Sequence, residues 1–367
     1  MDAEIDAWLA LEAVPGLGPV ALQALLQAYP TPQAILAASI SSLTAVTGAS
    51  LAHAIARVAN QADTRALQAA TLTWLSQPDN HFIPFTDPRY PPQLKSLPDA
   101  PPWLYVKGDP DWLARPMLAI VGSRHATPQG VRDAQAFAQA LSEAGLTVVS
   151  GMALGIDTAA HAGGLAGLGS SVAVVGTGLD RVYPARNRSL AHRLAAEGAI
   201  VSEFPLGTPP KSGHFPRRNR LISGLSLGVL VIEAALESGS LITARLAAEH
   251  GRDVFAIPGS IHSALSKGCH RLIKQGAKLV ESAADVLEEI GARLPATPAL
   301  EVPSGVDGEE AADEDALLTA LSGPALALDQ LAVRLGLTVD ALSVRLLAAE
   351  LEGRIARLPG GLYQRLY

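Results

Sequence analysis

The stretch 118-LAIVGSRHATPQGVRDAQAFAQALSEAG-145 contains one complete strand-turn-helix unit. Its apolar start, residues 118–121, is short, unbroken and followed by glycine, as expected for a strand that is buried on both faces. Thr127 and Pro128 then supply an N-cap and a first helical residue. Apolar residues recur at helical spacing up to Gly145, which favours the end of a helix. The stretch therefore predicts a strand, a turn and a helix in direct succession.

The same alternation continues along the chain, because further short apolar runs are separated mostly by helical patterns. The predicted strands are residues 118–121, 146–149, 172–175, 200–201, 229–232, 254–257 and 278–280. Strand-helix alternation favours a mostly parallel sheet with helices on both faces. We therefore predict the α/β fold class for this part of the chain.

Glycine, serine and charged residues follow most of these strands. Ligands of open parallel sheets bind beyond the carboxyl ends of the strands, and glycine lets backbone amides approach an anion. The candidates are Gly122, Ser123, Arg124, Gly151, Gly155, Gly178 and Ser240. Each glycine is also explained by turn geometry alone. Asp157 is more simply a helix cap, and Glu233 a structural partner for an arginine.

The segment Phe215–Arg220 reads FPRRNR and places three arginines beside an aromatic ring. Guanidinium groups match phosphate oxygens, and an aromatic face can stack on a nucleobase. Residues 181–220 contain eight Lys or Arg and two Glu, although the whole chain has a net charge of −7. The segment predicts a local anion site. The alternatives are a core position for Phe215 and a solvated face for the arginines.

The bulk composition excludes several classes of protein. The 367 residues suffice for two or three domains, and the single cysteine, Cys269, excludes a disulfide framework and a cysteine-rich zinc site. No signal peptide or membrane-spanning run is apparent, and the chain fits a reducing cytoplasm. The histidines have no metal-site spacing, and no GxSxG or P-loop motif occurs. We predict no enzyme, no metal and no cofactor.

Four regions are predicted: residues 1–80, 81–293, 294–315 and 316–367. The first has short helices and a PGLG turn typical of a helix-hairpin-helix. The second holds the sheet, preceded by a proline-rich extension, residues 81–116, that we expect to wrap a neighbouring domain. The third is an acidic flexible linker. The last has three helical patterns and a hairpin signal, which indicate a winged helix.

Residues 118–290 resemble the DNA-processing protein A family, DprA or Smf, through a dense series of motifs. They include IVGSR (120–124), SGMALGID (150–157), GTGLDRVYPARN (176–187), SEFPLG (202–207), FPRRNRLISGLS (215–226), ESGSLITA (237–244), GRDVFAIPGS (251–260) and GCHRLIKQGAKLV (268–280). The outer regions resemble the family's SAM-like helical region and winged helix. The resemblance implies a Rossmann-like domain between them.

The resemblance also implies a cytoplasmic homodimer, without membrane association, that binds and protects incoming single-stranded DNA. It implies loading of a RecA-type recombinase during natural transformation and homologous recombination. Phosphate contacts are implied for Ser123 and Arg124, and base stacking for Phe215. The groove would be extended by Lys211, Arg217, Arg218, Asn219 and Arg220, and the dimer surface would contain His270, Leu272, Ile273 and Lys274. The family's usual lysine position is occupied by Ser212.

Two other function classes remain open at this point. Phosphoribohydrolases that release cytokinin bases also have a strand-end glutamate and a glycine-rich turn, but their PGGxGT stretch is replaced here by residues 237–240, ESGS. A pure scaffold would not need FPRRNR. The PGLG turn fits a hairpin that holds phosphates through glycine amides, but no Lys or Arg precedes Arg57, so a protein contact is an equal alternative there. The last region favours a protein-binding or regulatory winged helix, because residues 338–357 hold three basic and three acidic side chains.

Overall fold

The computed structural model describes residues 3–58, 62–291, 320–321, 326–335, 342, 345–346, 349, 355–358 and 362–365. It divides into two units, Met1–Pro295 and Ala296–Tyr367. The predicted acidic linker, residues 294–315, lies outside the described residues. No helix in the described part of the chain has both the length and the apolar character needed to cross a membrane.

In the first unit, the described residues form one sheet of nine strands. The strands are β1 Asn80–Pro84, β2 Trp103–Gly108, β3 Met117–Val121, β4 Thr147–Ser150, β5 Ser171–Val174, β6 Ala199–Ser202, β7 Gly228–Val231, β8 Asp253–Ala256 and β9 Lys278–Leu279. Their order is β1-β2-β6-β5-β4-β3-β7-β8-β9. Only the pairs β1–β2 and β2–β6 of this sheet are antiparallel. The predicted mostly parallel sheet is confirmed.

The proline-rich residues 81–116 do not simply wrap a neighbour, as the sequence suggested. They form β2 and most of β1, the antiparallel end of the sheet. Pro84 ends β1 and Pro102 directly precedes β2, positions where a missing N–H costs no ladder hydrogen bond. The rings of Trp103 and Tyr105 pack against Trp8 and Trp74 of the N-terminal helices, with centroids 6.5 and 5.9 Å apart.

Helices precede the sheet and cover both of its faces. The N-terminal helices are α1 Ala3–Glu12, α2 Pro19–Ala28, α3 Pro32–Ala37, α4 Ile40–Thr47, α5 Ala49–Val58 and α6 Ala62–Leu75. The others are α7 Pro92–Lys95, α8 Pro128–Glu143, α9 Ile156–Gly164, α10 Arg188–Glu197, α11 His214–Leu225, α12 Ser240–Glu249, α13 Lys267–Lys274 and α14 Ala283–Ile290. Helices α11, α12 and α13 share one apolar core with the sheet, and α8, α9 and α14 share another.

The second unit contains the predicted hairpin. Strands β11 Ile355–Leu358 and β12 Leu362–Arg365 pair antiparallel, and β10 Leu326–Ala327 joins β12. Helix α15, Leu328–Leu335, follows β10 directly. A short helix beside a three-stranded antiparallel sheet fits a winged helix.

Candidate nucleic-acid interface

An open cavity of about 630 Å³ lies at the carboxyl ends of β3, β4 and β7. Because these strands are parallel, the residues that follow them meet at one edge of the sheet. Helices α11 and α12 provide the remaining walls. The sequence candidates that line it are Gly122, Ser123, Arg124, Phe215, Arg218, Asn219 and Ser240. We call this cavity the strand-end groove.

Two of the predicted glycines allow the backbone to pack closely beneath the groove. A Cβ on Gly122 would lie 2.6 Å from Cγ1 of Ile156. Gly155 has a φ of +77°, and a Cβ there would collide with the carbonyl oxygen of Ser123. The amide of Ile156 donates to that same oxygen at 3.1 Å. These glycines therefore hold the start of α9 against the turn after β3.

The amides of Gly151 and Gly178 are already used inside the protein. Gly151 donates to Oδ2 of Asp157 at 3.1 Å, and Gly178 donates to the carbonyl of Thr208 at 3.1 Å. The expectation that these two amides approach an anion is therefore wrong. Asp157 acts as the local cap that the sequence allowed, since it also accepts from the amide of Ala153 at 3.2 Å.

Arg124 is the exposed cation of the groove. Its guanidinium lies 5.4 Å from the centroid of the Phe215 ring. No carboxylate among residues 3–58 and 62–291 forms an ion pair with it. Ser123 beside it is 8% exposed, and its Oγ accepts from the amide of His125 at 3.1 Å. Arg124 is therefore free to bind a phosphate.

Phe215 forms a half-buried ridge rather than part of a core. It separates the strand-end groove from a smaller cavity of about 160 Å³, and it lines both. The ring of Tyr183 lies 5.8 Å from that of Phe215, tilted by 31°. Tyr183 is 45% exposed and was not singled out from the sequence, although it is an aromatic residue inside the basic window. The core alternative for Phe215 is therefore wrong.

Two of the three arginines of FPRRNR, Arg217 and Arg220, bind Glu203 instead of lining the groove. Arg220 is 6% exposed, with Nη2 2.5 Å from Oε2 of Glu203 and Nε 3.2 Å from Oδ2 of Asp99. Arg220 therefore does not extend the groove as the resemblance implied, because its guanidinium is paired inside the protein and does not line the cavity. Arg217 has a 51% exposed side chain, but it bonds to the same Glu203 oxygen at 3.0 Å and does not line the groove.

Arg218 is 4% exposed and lies in the wall of both cavities. It donates from Nη1 to the carbonyl of Val174. Burial lowers the pKa of Arg218 to about 10, against the opposing effect of the Asp157 charge. Arg218 therefore stays charged at neutral pH and adds a positive field beneath Arg124. A Cβ on Gly151 would collide with the Arg218 guanidinium, so this glycine makes room for it.

The remaining candidates lie around the start of α11 and α12. Lys211 is exposed but does not line the groove, whereas Ser212, at the family's lysine position, does. Nδ2 of Asn219 donates to the carbonyl of Gly239 at 3.4 Å, which connects α11 with the turn before α12. Ser240 is 8% exposed, and its Oγ lies 2.7 Å from that of Ser238.

The strand-end glutamate is a structural residue. Glu233 accepts hydrogen bonds from the amide of Thr127 at 2.9 Å and from its hydroxyl at 2.5 Å. It therefore binds the N-terminus of α8, rather than the arginine that the sequence suggested. A Cβ on Gly130 would collide with its carboxylate, so the contact is tightly packed.

The buried histidine near the groove is also structural. Burial, with the nearby Arg218 charge, lowers the pKa of His161 to about 3. Its Nε2 accepts from the amide of Met152 at 3.2 Å, and Nδ1 lies 2.7 Å from Oγ of Ser171. No group of three or more His, Cys, Asp or Glu residues within the described ranges is placed to hold a metal ion.

The predicted dimer residues have unequal exposure. Leu272 is 8% exposed and belongs to the protein's own core, so it offers little surface to a second copy. Ile273 packs partly against the same core. His270 Nε2 lies 3.0 Å from the carbonyl oxygen of Gly259. Lys274 is exposed, and so is Leu279, which is 45% exposed on the edge strand β9.

Comparison with known proteins shows the family to which this chain belongs. The sequence profile of the DNA recombination-mediator protein A family matches residues 81–291, and that of the DprA winged helix domain matches residues 295–361. The chain belongs to the DprA/Smf family. Protein Smf of Escherichia coli K12 is 45% identical over 301 residues, which cover 81% of this chain and 80% of that protein. The resemblance stated from the motifs is confirmed.

Two solved DprA structures share the fold. The X-ray structure of DNA processing protein A from Streptococcus pneumoniae matches with a TM-score of 0.69 and 38% identity, over 79% of this chain and 99% of that one. DprA from Helicobacter pylori matches with a TM-score of 0.52 and 31% identity, over 56% of this chain and 94% of that one. That structure was used to study how the H. pylori protein binds single-stranded DNA.

Proposed function

We propose that this DprA/Smf chain binds single-stranded DNA in the strand-end groove. The observation that carries the proposal is the exposed guanidinium of Arg124 over the half-buried ring of Phe215, with no ion pair to Arg124 among residues 3–58 and 62–291. An exposed cation beside an aromatic face is the combination that holds a phosphate and stacks a base, without selecting a sequence. The single-stranded DNA binding mode described for the H. pylori relative supports the same conclusion.

A cellular role follows from the family. We infer that the protein acts in the cytoplasm, protects incoming DNA and loads a RecA-type recombinase onto it during natural transformation and homologous recombination. The membership in a family of recombination mediators supports this role. A strand held by its phosphates and by single stacked bases leaves other base edges accessible, as recombinase loading requires.

We expect Arg124→Ala to weaken binding of a labelled oligothymidylate and to flatten its salt dependence. One lost phosphate contact on a single strand should change the log–log slope by about 0.7. Fluorescence anisotropy across a salt series measures both quantities. Arg245→Ala is the matched control, because Arg245 is an exposed arginine on α12 that pairs with Glu249 at 3.7 Å. Equal affinity and slope in both variants would exclude Arg124 from the interface.

The phosphoribohydrolase alternative loses its main support in this geometry. Its strand-end glutamate would have to reach a nucleotide, whereas Glu233 is bound by Thr127 at the start of α8. Release of a free base from nucleoside monophosphates is the measurement that would revive this alternative. We therefore propose a binding protein rather than an enzyme.

We propose a homodimer whose contact includes the surface of α13 and β9. Strand β9 is the edge of the sheet, and Leu279 on it is 45% exposed. An exposed apolar residue on an open strand edge favours association with a second copy. Two grooves on one dimer would also raise the effective concentration for a long strand.

Leu279→Glu is expected to give a folded monomer, because a twofold contact would bring two copies of the new charge together. Ile273→Glu is a poorer choice, since Ile273 packs against its own core. Leu168→Glu serves as the control, because Leu168 is 73% exposed and lies outside α13 and β9. Sedimentation velocity compares the variants with the parent. A Leu279→Glu protein that still sediments as a dimer would place the interface elsewhere.

A further inference from the structure

A second basic cavity, of about 440 Å³, lies between α10 and the segment that follows β5. Its cationic lining consists of Lys107, Arg181 and Arg188. We call it the α10 cavity. Its one lining carboxylate, Asp180, lies 3.5 Å from Arg181 and accepts from the amide of Gly207 at 2.8 Å. No carboxylate within residues 3–58 and 62–291 forms an ion pair with Lys107 or Arg188.

The α10 cavity and the strand-end groove both adjoin the smaller cavity of about 160 Å³. The smaller cavity shares Met152 and Val175 with the α10 cavity, and it shares Arg124 and Phe215 with the groove. Tyr183 lines this connecting cavity, with its ring 5.8 Å from that of Phe215. The partly exposed rings of Tyr183 and Phe215 thus lie between the two cationic sites.

The segment that carries the second site is fixed to the first. Asn187 is 5% exposed, and its Nδ2 donates to the carbonyl of Met152 at 2.9 Å and to Oγ1 of Thr158 at 3.0 Å. Residues 181–188 are therefore bonded to the turn after β4, which also contributes to the groove. A ligand that spans both sites meets a path formed before it binds, which lowers the ordering cost of binding.

We propose that one single strand of DNA runs from the strand-end groove across Tyr183 and places further phosphates in the α10 cavity, against Lys107 and Arg188. This inference rests on the proposed function and extends it to a longer track on each protomer. Alternating cations and aromatic faces are what a flexible polyanion with stacking bases requires. The apolar part of the cavity, which includes Leu179 and Val182, offers contact to a sugar or a base.

The test compares oligothymidylates of increasing length on the full chain. The variants are the double substitution Lys107→Ala and Arg188→Ala, and Arg193→Ala as a control. Arg193 lies on the same helix but pairs with Glu197 at 3.0 Å and does not line the cavity. We expect the double variant to bind the shortest binding oligonucleotide as the parent does. On longer strands it should lose affinity, and its salt slope should fall by about 1.4, for two phosphates.

Tyr183→Ala separates stacking from charge, because it should lower the affinity for the longer strands only and leave the salt slope unchanged. A parent that binds no single strand would refute the proposed function itself. A parent that binds, with a double variant that keeps its slope and affinity at every length, would refute only the extended track. An equal loss on the shortest strand would also refute it, because the second cavity would then not be a separate site.

Discussion

Arg220→Ala should lower the free energy of unfolding by about 3–5 kcal/mol, whereas Arg217→Ala should lower it by less than about 1 kcal/mol. Both arginines bond to the same oxygen, Oε2 of Glu203. They differ in exposure, because the side chain of Arg220 is 8% exposed and that of Arg217 is 51% exposed. Loss of Arg220 leaves a buried carboxylate short of its closest partner. Because Arg217 still reaches that carboxylate, we expect a loss of unfolding free energy near the lower end of this range.

The measurement is denaturant unfolding followed by tryptophan fluorescence. All four tryptophans of the chain lie between residues 8 and 112, so the signal reports on the first unit alone. Single-strand binding per folded molecule should be retained in Arg220→Ala. A variant that unfolds like the parent but loses DNA binding would instead restore Arg220 as a phosphate contact.

Phe215→Ala should weaken single-strand binding by about 1–3 kcal/mol, or roughly 5- to 150-fold in Kd. The ring is half-buried and exposes a face between two cavities, so its removal takes away a stacking surface rather than a core residue. A base stack releases no counterion, so the salt slope should change little. Anisotropy titrations at several salt concentrations measure both effects.

Two further substitutions at this position separate shape from aromaticity. Phe215→Tyr keeps the ring and should bind nearly as the parent does, whereas Phe215→Leu keeps apolar bulk and should bind nearly as weakly as Phe215→Ala. Thermal unfolding of all three controls for stability. A collapse of Tm in Phe215→Ala with unchanged binding per folded molecule would show that the ring supports the fold instead.

The sheet and the location of the groove could be predicted because both depend on simple patterns. Strands buried on both faces are unbroken apolar runs, and parallel direction brings their carboxyl ends together. The antiparallel strands β1 and β2 were missed because prolines flank them and the segment lacks the strand-helix alternation. Their pairing depends on contacts with β6 and the N-terminal helices, which no local pattern encodes.

The directions of the arginines could not be predicted while FPRRNR was treated as a run of charge. The segment lies on α11, with Pro216 tolerated in its first turn. Residues three or four apart on a helix share a face. Phe215, Arg218, Asn219 and Ile222 therefore line the groove, whereas Arg217 and Arg220 both reach Glu203. A helical assignment of this segment would have given these directions from the sequence.

The bond between Glu233 and the start of α8 has a consequence for what the groove can distinguish. That carboxylate accepts from the amide at the start of α8, and the amides of Gly151 and Gly178 already donate to Asp157 and Thr208. The exposed cation of the groove, Arg124, is a long side chain, which can follow a phosphate over a range of positions. A rigid amide cradle would select one mononucleotide geometry. A groove with adaptable cations instead favours a polymer over its monomers, so free nucleotides should compete poorly with a strand.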